Sequence, residues 1–178
     1  MLVNSASPDR NRIDGQKSVV HEIVEQFGGA PDVIALPFGG GGNLTAVALG
    51  LDEAGASSQI VVGQAAERAT TWASAIRIAE PAHAAEVERL VTTGRLRVVT
   101  LDERELHEWW SRLAREEGVF CEPASAAGVA ALAKLGAAEA RTAAAIVTGH
   151  GLKDTESVDQ SSSATVDATL DAVLAELG

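Results

Sequence analysis

The sequence predicts an α/β fold, an open and mostly parallel sheet with helices on both faces. Short apolar, β-branched runs alternate with helical segments, as in parallel sheets buried on both sides. A run of glycines joins the first predicted strand to the helix after it. Apolar residues make up 46% of the 178-residue chain and aromatics only 3%, so the core is built from Ala, Val, Leu and Ile. This length suffices for one domain with a real core.

The elements follow in order. The first dozen residues, with Pro8, Asp9, Arg10, Asn11 and Arg12, read as an irregular loop. A helix is expected over about 16–28. Val33-Ile34-Ala35-Leu36 is the first strand, after Pro31-Asp32. A helix over 44–54 follows the glycines. Ile60-Val61-Val62 is the second strand, a helix over 82–93 comes next, and Leu96-Arg97-Val98-Val99 is the third strand. Helices over 103–117 and 123–136 precede a fourth strand at Ala145-Ile146-Val147. A polar loop with Ser161, Ser162 and Ser163 leads to a last helix over about 164–177. No internal repeat or heptad pattern divides the chain, so residues 1–178 read as one domain.

Charge and composition exclude several classes of function. The 25 acidic and 14 basic residues give a formal charge of -11, whereas nucleic acid and anionic membranes call for a basic surface. No apolar run approaches the roughly 20 residues of a membrane span, and the N-terminus lacks the pattern of a signal peptide. A cytoplasmic location is expected. Cys121 is the only cysteine, without metal-site spacing, and reads as a small buried apolar residue.

The segment Leu36-Pro37-Phe38-Gly39-Gly40-Gly41-Gly42-Asn43-Leu44-Thr45 carries the most information. Consecutive glycines let backbone N–H groups approach a ligand closely. The helix that follows adds the positive end of its dipole, so the pair suits a phosphate. The alternative is a flexible turn. The loop is not a nucleotide P-loop, because no Lys-Ser/Thr pair follows it, and it lacks the acidic residue of the dinucleotide fingerprint. Thr148-Gly149-His150-Gly151-Leu152-Lys153-Asp154 follows the last strand. In open parallel sheets ligands bind beyond the strands' carboxyl ends, so Gly39–Asn43 and Thr148–Lys153 can share one site.

Several blocks, taken together, resemble threonine synthase, a fold-type-II pyridoxal-phosphate (PLP) enzyme. They are Asn4-Ser5, an arginine at Arg10 or Arg12, Gly15-Gln16-Lys17, the loop Gly39–Asn43, Ala75-Ile76-Arg77-Ile78, Glu117 through Ala127, and Thr148 through Asp154. They run in the family's order over almost the whole chain. The resemblance implies the large-domain portion of the tryptophan-synthase-β-like PLP fold, with Gly39, Gly40, Gly41, Gly42 and Asn43 around the PLP phosphate. It implies that Thr148 hydrogen-bonds the pyridine nitrogen. It also implies that Asn4, Ser5, Asn43 and either Arg10 or Arg12 hold the phosphate of an O-phosphohomoserine-like substrate. Lys153 is expected to be a solvated surface lysine.

The chain departs from the family in three places. It begins about where the family's second half begins, and none of Lys17, Lys134 and Lys153 sits in the family's Schiff-base context. No catalytic residue is therefore assigned. The segment Ala65 through Trp72 is shorter than its family counterpart, and about two extra residues lie between Ser5 and Gly15. The function expected is a subunit of a split enzyme for β- or γ-elimination or replacement on an amino acid. A lysine-bearing N-terminal-half subunit, or a second copy of the chain, would then be the partner. The alternatives are a non-catalytic PLP- or phosphate-binding or regulatory subunit, and an inactive fragment.

Overall fold

A computed structural model describes residues 10–136, 140–158 and 166–177. The sheet has four parallel strands in the order β3-β2-β1-β4. They are β1 (Val33–Pro37), β2 (Gln59–Ala65), β3 (Leu96–Leu101) and β4 (Ala143–Ala145). The helices are α1 (Arg10–Gln16), α2 (Ser18–Phe27), α3 (Gly42–Glu53), α4 (Ala84–Thr92), α5 (Glu103–Glu116), α6 (Ala126–Leu135) and α7 (Leu170–Leu177). Short 3-10 turns at Ser74–Ile76, Pro123–Ser125, Gly151–Lys153 and Thr155–Ser157 complete the description.

Both faces of the sheet are covered, because successive strand side chains point to opposite sides. Ile34, Leu36, Ile60, Val62 and Leu96 pack with Val20 of α2, Leu44, Val47 and Leu51 of α3, and Leu90 of α4. Val33, Ala35, Val61, Val99 and Leu101 face the other way, onto Leu106 of α5 and Ala127, Ala130 and Ala131 of α6. The small side chains of α6 allow its backbone to lie almost on the strands. A Cβ on Gly128 would stand 2.9 Å from Leu36 Cα. An Ala- and Gly-rich helix thus lets close backbone contact make up much of this side of a core with few aromatics. No helix among the described residues is long and apolar enough to cross a membrane.

Four expectations about the elements need correction. The polar segment read as a loop forms α1 from Arg10 onward. Buried Ile13 anchors it, and the i,i+4 pairs Arg10–Asp14 and Arg12–Gln16 brace it. The helix expected over about 16–28 is α2, and Lys17 separates it from α1. The fourth strand lies earlier than its β-branched residues suggest. Asp32 fixes its register, since Oδ2 accepts from Arg141 N (2.9 Å) and Thr142 N (3.0 Å). Ile146 still donates to Ala35 O at 2.8 Å, just past the strand. The region 123–136 opens as a 3-10 turn and becomes α6 only at Ala126. The last helix occupies Leu170–Leu177, and the serine loop at Ser161–Ser163 lies outside the described residues. The expected start of α5 holds. Asp102 and Glu105 form a capping box, with Glu105 N donating to Asp102 Oδ1 at 2.7 Å.

Candidate functional site

The candidate site lies beyond the carboxyl ends of β1 and β4, where the glycine loop turns into α3. Phe38 N donates to Gly63 O at 2.8 Å, which prolongs the β1–β2 pairing by one residue before the chain turns. Gly41 makes the turn with φ 87°, in the left-handed region, and caps α3. Its carbonyl accepts from both Thr45 N and Thr45 Oγ1 at 2.9 Å. The first N–H groups of α3, at Gly42, Asn43 and Leu44, have no partner inside the helix, as at any helix start. They open onto a cavity of about 250 Å³ lined by Gly39 through Leu44, by Arg12 and Gln16, by Ala75, Ile76 and Ile78, and by Ala124, Thr148 and Lys153.

The walls leave no room for side chains on the loop at two of its positions. A Cβ on Gly42 would overlap the guanidinium of Arg12. A Cβ on Gly39 would stand 3.0 Å from Ala75 O. The Ala75–Ile78 block therefore acts as the floor against which the loop is pressed. This cradle of backbone amides, sited at a helix start beside an arginine, fits an anionic phosphate group. It is a local concentration of positive potential in a chain of net charge -11.

Of the residues predicted from sequence, Gly39, Gly40, Gly41, Gly42, Asn43, Arg12 and Thr148 come together around one cavity. Arg12 donates to Gln16 Oε1 at 3.1 Å and is half-buried. Of the two candidate arginines, Arg10 does not line the cavity; its side chain is 92% exposed and 3.9 Å from Asp14. On a helix, residues two apart cannot share a face. Asn4 and Ser5 lie outside the described residues. Lys153 is exposed, as expected of a surface lysine, and it also borders the cavity and pairs with Glu122 Oε2 at 3.0 Å. Lys17 pairs with Glu53 at 2.7 Å and Lys134 with Glu105 at 2.7 Å, and neither lines the cavity. Cys121 is buried, and burial pushes its thiol pKa up, as for an inert core residue.

Sequence reasoning missed two groups. Arg68, in the shortened segment after β2, donates from Nη2 to Gly39 O (2.8 Å), from Nε to Ile78 O (3.0 Å) and from Nη1 to Gln64 Oε1 (3.1 Å). Its guanidinium also lies 4.5 Å from the centre of the Phe38 ring. Burial pulls its pKa below the usual arginine value. Arg68 thus ties the glycine loop to its floor and to the end of β2. The second group is Ser125, buried behind Thr148, whose hydroxyl lies 2.9 Å from Thr148 Oγ1. The only signal for either was a polar residue beside a glycine-rich or small-residue block.

Comparison with known proteins agrees with this geometry. Residues 1–149 match the family model described as pyridoxal-phosphate dependent enzyme. The chain is 37% identical over 190 residues to the threonine synthase of Synechocystis sp., covering 95% of this chain and 49% of that protein. It is 36% identical over 200 residues to the threonine synthase of Mycobacterium leprae, covering 99% and 55%. The chain spans about half the length of these curated relatives. Among solved structures, maize serine racemase superposes with a TM-score of 0.67 at 22% identity, covering 83% of this chain and 51% of that one. That likeness extends the fold assignment to the fold-type-II PLP enzymes.

Proposed function

Because the chain belongs to the pyridoxal-phosphate-dependent enzyme family, we propose that it is the cofactor-cradling part of a threonine-synthase-like enzyme acting on an amino acid by β- or γ-elimination or replacement. The observation that carries this reading is the convergence of the glycine cradle, the start of α3, Arg12 and Thr148 on one cavity. When bound, PLP supplies an electron sink for charge developing on the substrate's α or β carbon.

Each residue of the chain has a separate task in this reading. The amides of Gly39–Gly42 and the N-terminus of α3 hold the cofactor phosphate. Thr148 meets the ring nitrogen from the opposite wall with a neutral hydroxyl. Arg12 and Asn43, with Asn4 and Ser5, take the phosphate of an O-phosphohomoserine-like substrate. A guanidinium suits that task because it binds phosphate in a fork. Ala75, Ile76, Ile78 and Ala124 give the cavity an apolar wall that limits water around the ring.

The Schiff-base lysine is proposed to come from another polypeptide, a lysine-bearing N-terminal-half subunit in a hetero-oligomer. Two features support this. Each of the chain's three lysines is already ion-paired with a carboxylate. Next in sequence to the lining residues Thr148 and Lys153, Val147 and Leu152 are 40% and 71% exposed, apolar side chains that a partner would cover. The test is purification with the candidate partner, light scattering of the complex, and an absorbance scan of the complex with PLP. A monomer that shows no PLP absorbance with any partner would refute it. The engagement of Lys153 by Glu122 favours one second reading, a PLP-binding subunit without catalysis. The same scan separates the two, since that subunit would bind PLP reversibly without a lysine adduct.

A further inference from the structure

Ser125 has an unusual hydrogen-bond load for a side chain with 0% exposure. Its Oγ accepts from Gly149 N at 2.8 Å and from Thr148 N at 3.1 Å. A serine hydroxyl has two acceptor lone pairs and one proton. Both lone pairs are therefore taken by backbone amides, and only the proton remains. Its near neighbour is Thr148 Oγ1 at 2.9 Å, while Gly149 O is farther away at 3.4 Å. The direction of the contact follows by counting: Ser125 donates and Thr148 accepts.

This fixes the state of the Thr148 hydroxyl. It accepts a proton from behind, and a hydroxyl that accepts becomes a stronger donor through its own O–H. Thr148 lines the cavity, and of its O–H and its one remaining lone pair the O–H is the one that this contact strengthens. Ser125 itself is held from below, since Ser125 N donates to Glu122 O at 3.0 Å. Glu122 N donates in turn to Gly149 O at 2.9 Å. The charged groups near this turn are the Glu122 carboxylate, packed against Gly149, and Lys153, which pairs with it. His150 Nδ1 accepts from Leu152 N at 3.2 Å within the same turn.

We propose that Ser125 is a positioning residue that locks the Thr148–Gly149 turn and polarises the Thr148 hydroxyl to donate, so that a pyridine nitrogen bound there is held unprotonated. The proposal rests on the reading of the cavity as a PLP site. It goes beyond that reading by assigning the nitrogen's protonation to a residue that never touches the ligand. An unprotonated ring withdraws electrons less strongly than a pyridinium, which bears on how far charge spreads from the substrate.

The experiment uses the full chain and pyridoxamine 5'-phosphate labelled with 15N in the ring, which needs no lysine to bind. The ring-nitrogen chemical shift is followed against pH for the parent, Ser125→Ala and Ser125→Cys. Inorganic phosphate is titrated into each as a check on the glycine cradle. The expected result is an unprotonated nitrogen at neutral pH in the parent. In both variants the midpoint should rise by about one pH unit, with phosphate affinity unchanged. The cysteine variant keeps the side chain's shape, so a packing defect confined to the alanine variant would show as a difference between the two. A protonated nitrogen in the parent at neutral pH would overturn the proposal and leave the cofactor reading standing. So would variants that titrate like the parent. Failure of the parent to bind the labelled ligand at all would overturn both.

Discussion

Adjacent glycines of the loop should fail in different ways. Gly41 sits at φ 87°, and an added Cβ would stand 3.0 Å from His83 Cβ and 3.4 Å from Val87 Cγ2. The conformational penalty for an L-residue there is about 1–2 kcal/mol. Overpacking adds about 1–3 kcal/mol. Together Gly41→Ala should cost roughly 2–5 kcal/mol, a fall in Tm of about 4–20 °C for a domain of this size. At Gly40 an added Cβ would meet only Ile78 Cδ1, at 3.7 Å, and no left-handed φ is required. Gly40→Ala should therefore change stability by less than about 1 kcal/mol. Its methyl group nevertheless stands on the cavity wall, where the backbone must approach the ligand. Loss of one charge-assisted hydrogen bond, about 1.5–3 kcal/mol, weakens binding by about tenfold to a hundredfold. The assay is titration calorimetry with inorganic phosphate and with PLP, beside a thermal melt of each variant. A Gly40→Ala protein that binds both ligands like the parent would refute the cradle. A Gly41→Ala protein as stable as the parent would refute the contact with His83.

Three further predictions concern the surroundings. Arg68→Gln removes the fork that ties Gly39 to Ile78, and should weaken phosphate binding by about tenfold while lowering Tm by a few degrees; unchanged phosphate affinity would show that the loop holds its shape unaided. Borohydride reduction of the isolated chain with PLP should leave no stoichiometric adduct at Lys17, Lys134 or Lys153 by peptide mapping, and one at Lys153, on the cavity wall, would refute the need for a partner's lysine. The amides of Thr142 and then Arg141 hold the Asp32 carboxyl below its ordinary value of 3.8. The stability this contributes is present above about pH 4 and is lost as pH falls through the depressed folded-state value. Asp32→Asn should therefore flatten the acid limb of the stability profile, and an acid limb identical to the parent's in denaturant titrations would show that Asp32 does not contribute.

Much of the architecture was legible because it is written in contiguous residues. The runs around Ile34, Val61 and Val98 mark three strands directly, and the helix expected over 103–117 is α5. The glycine run between β1 and α3 marks a backbone-lined turn into a helix start without any help from tertiary contacts. The segments that misled are those whose state depends on something distant. Residues 10–16 are polar, and only the burial of Ile13 against the rest of the chain makes them a helix. The fourth strand was placed by its β-branched residues, yet its register is set by Asp32, more than a hundred positions earlier.

The sequence by itself determined the fold class and the family resemblance, because strand pattern, glycine content and short motifs act over a few neighbouring residues. It left open whether Arg10 or Arg12 faces the ligand. Helix rotation decides that, and rotation follows from which side of α1 the core buries. It assigned no task to Arg68 or Ser125, whose partners lie 29 and 23 positions away. Those pairings exist only once the sheet has brought the ends of β1, β2 and β4 to a common edge. A hydrogen bond depends on distance and direction in space, and these are properties of the packed chain that local sequence does not carry.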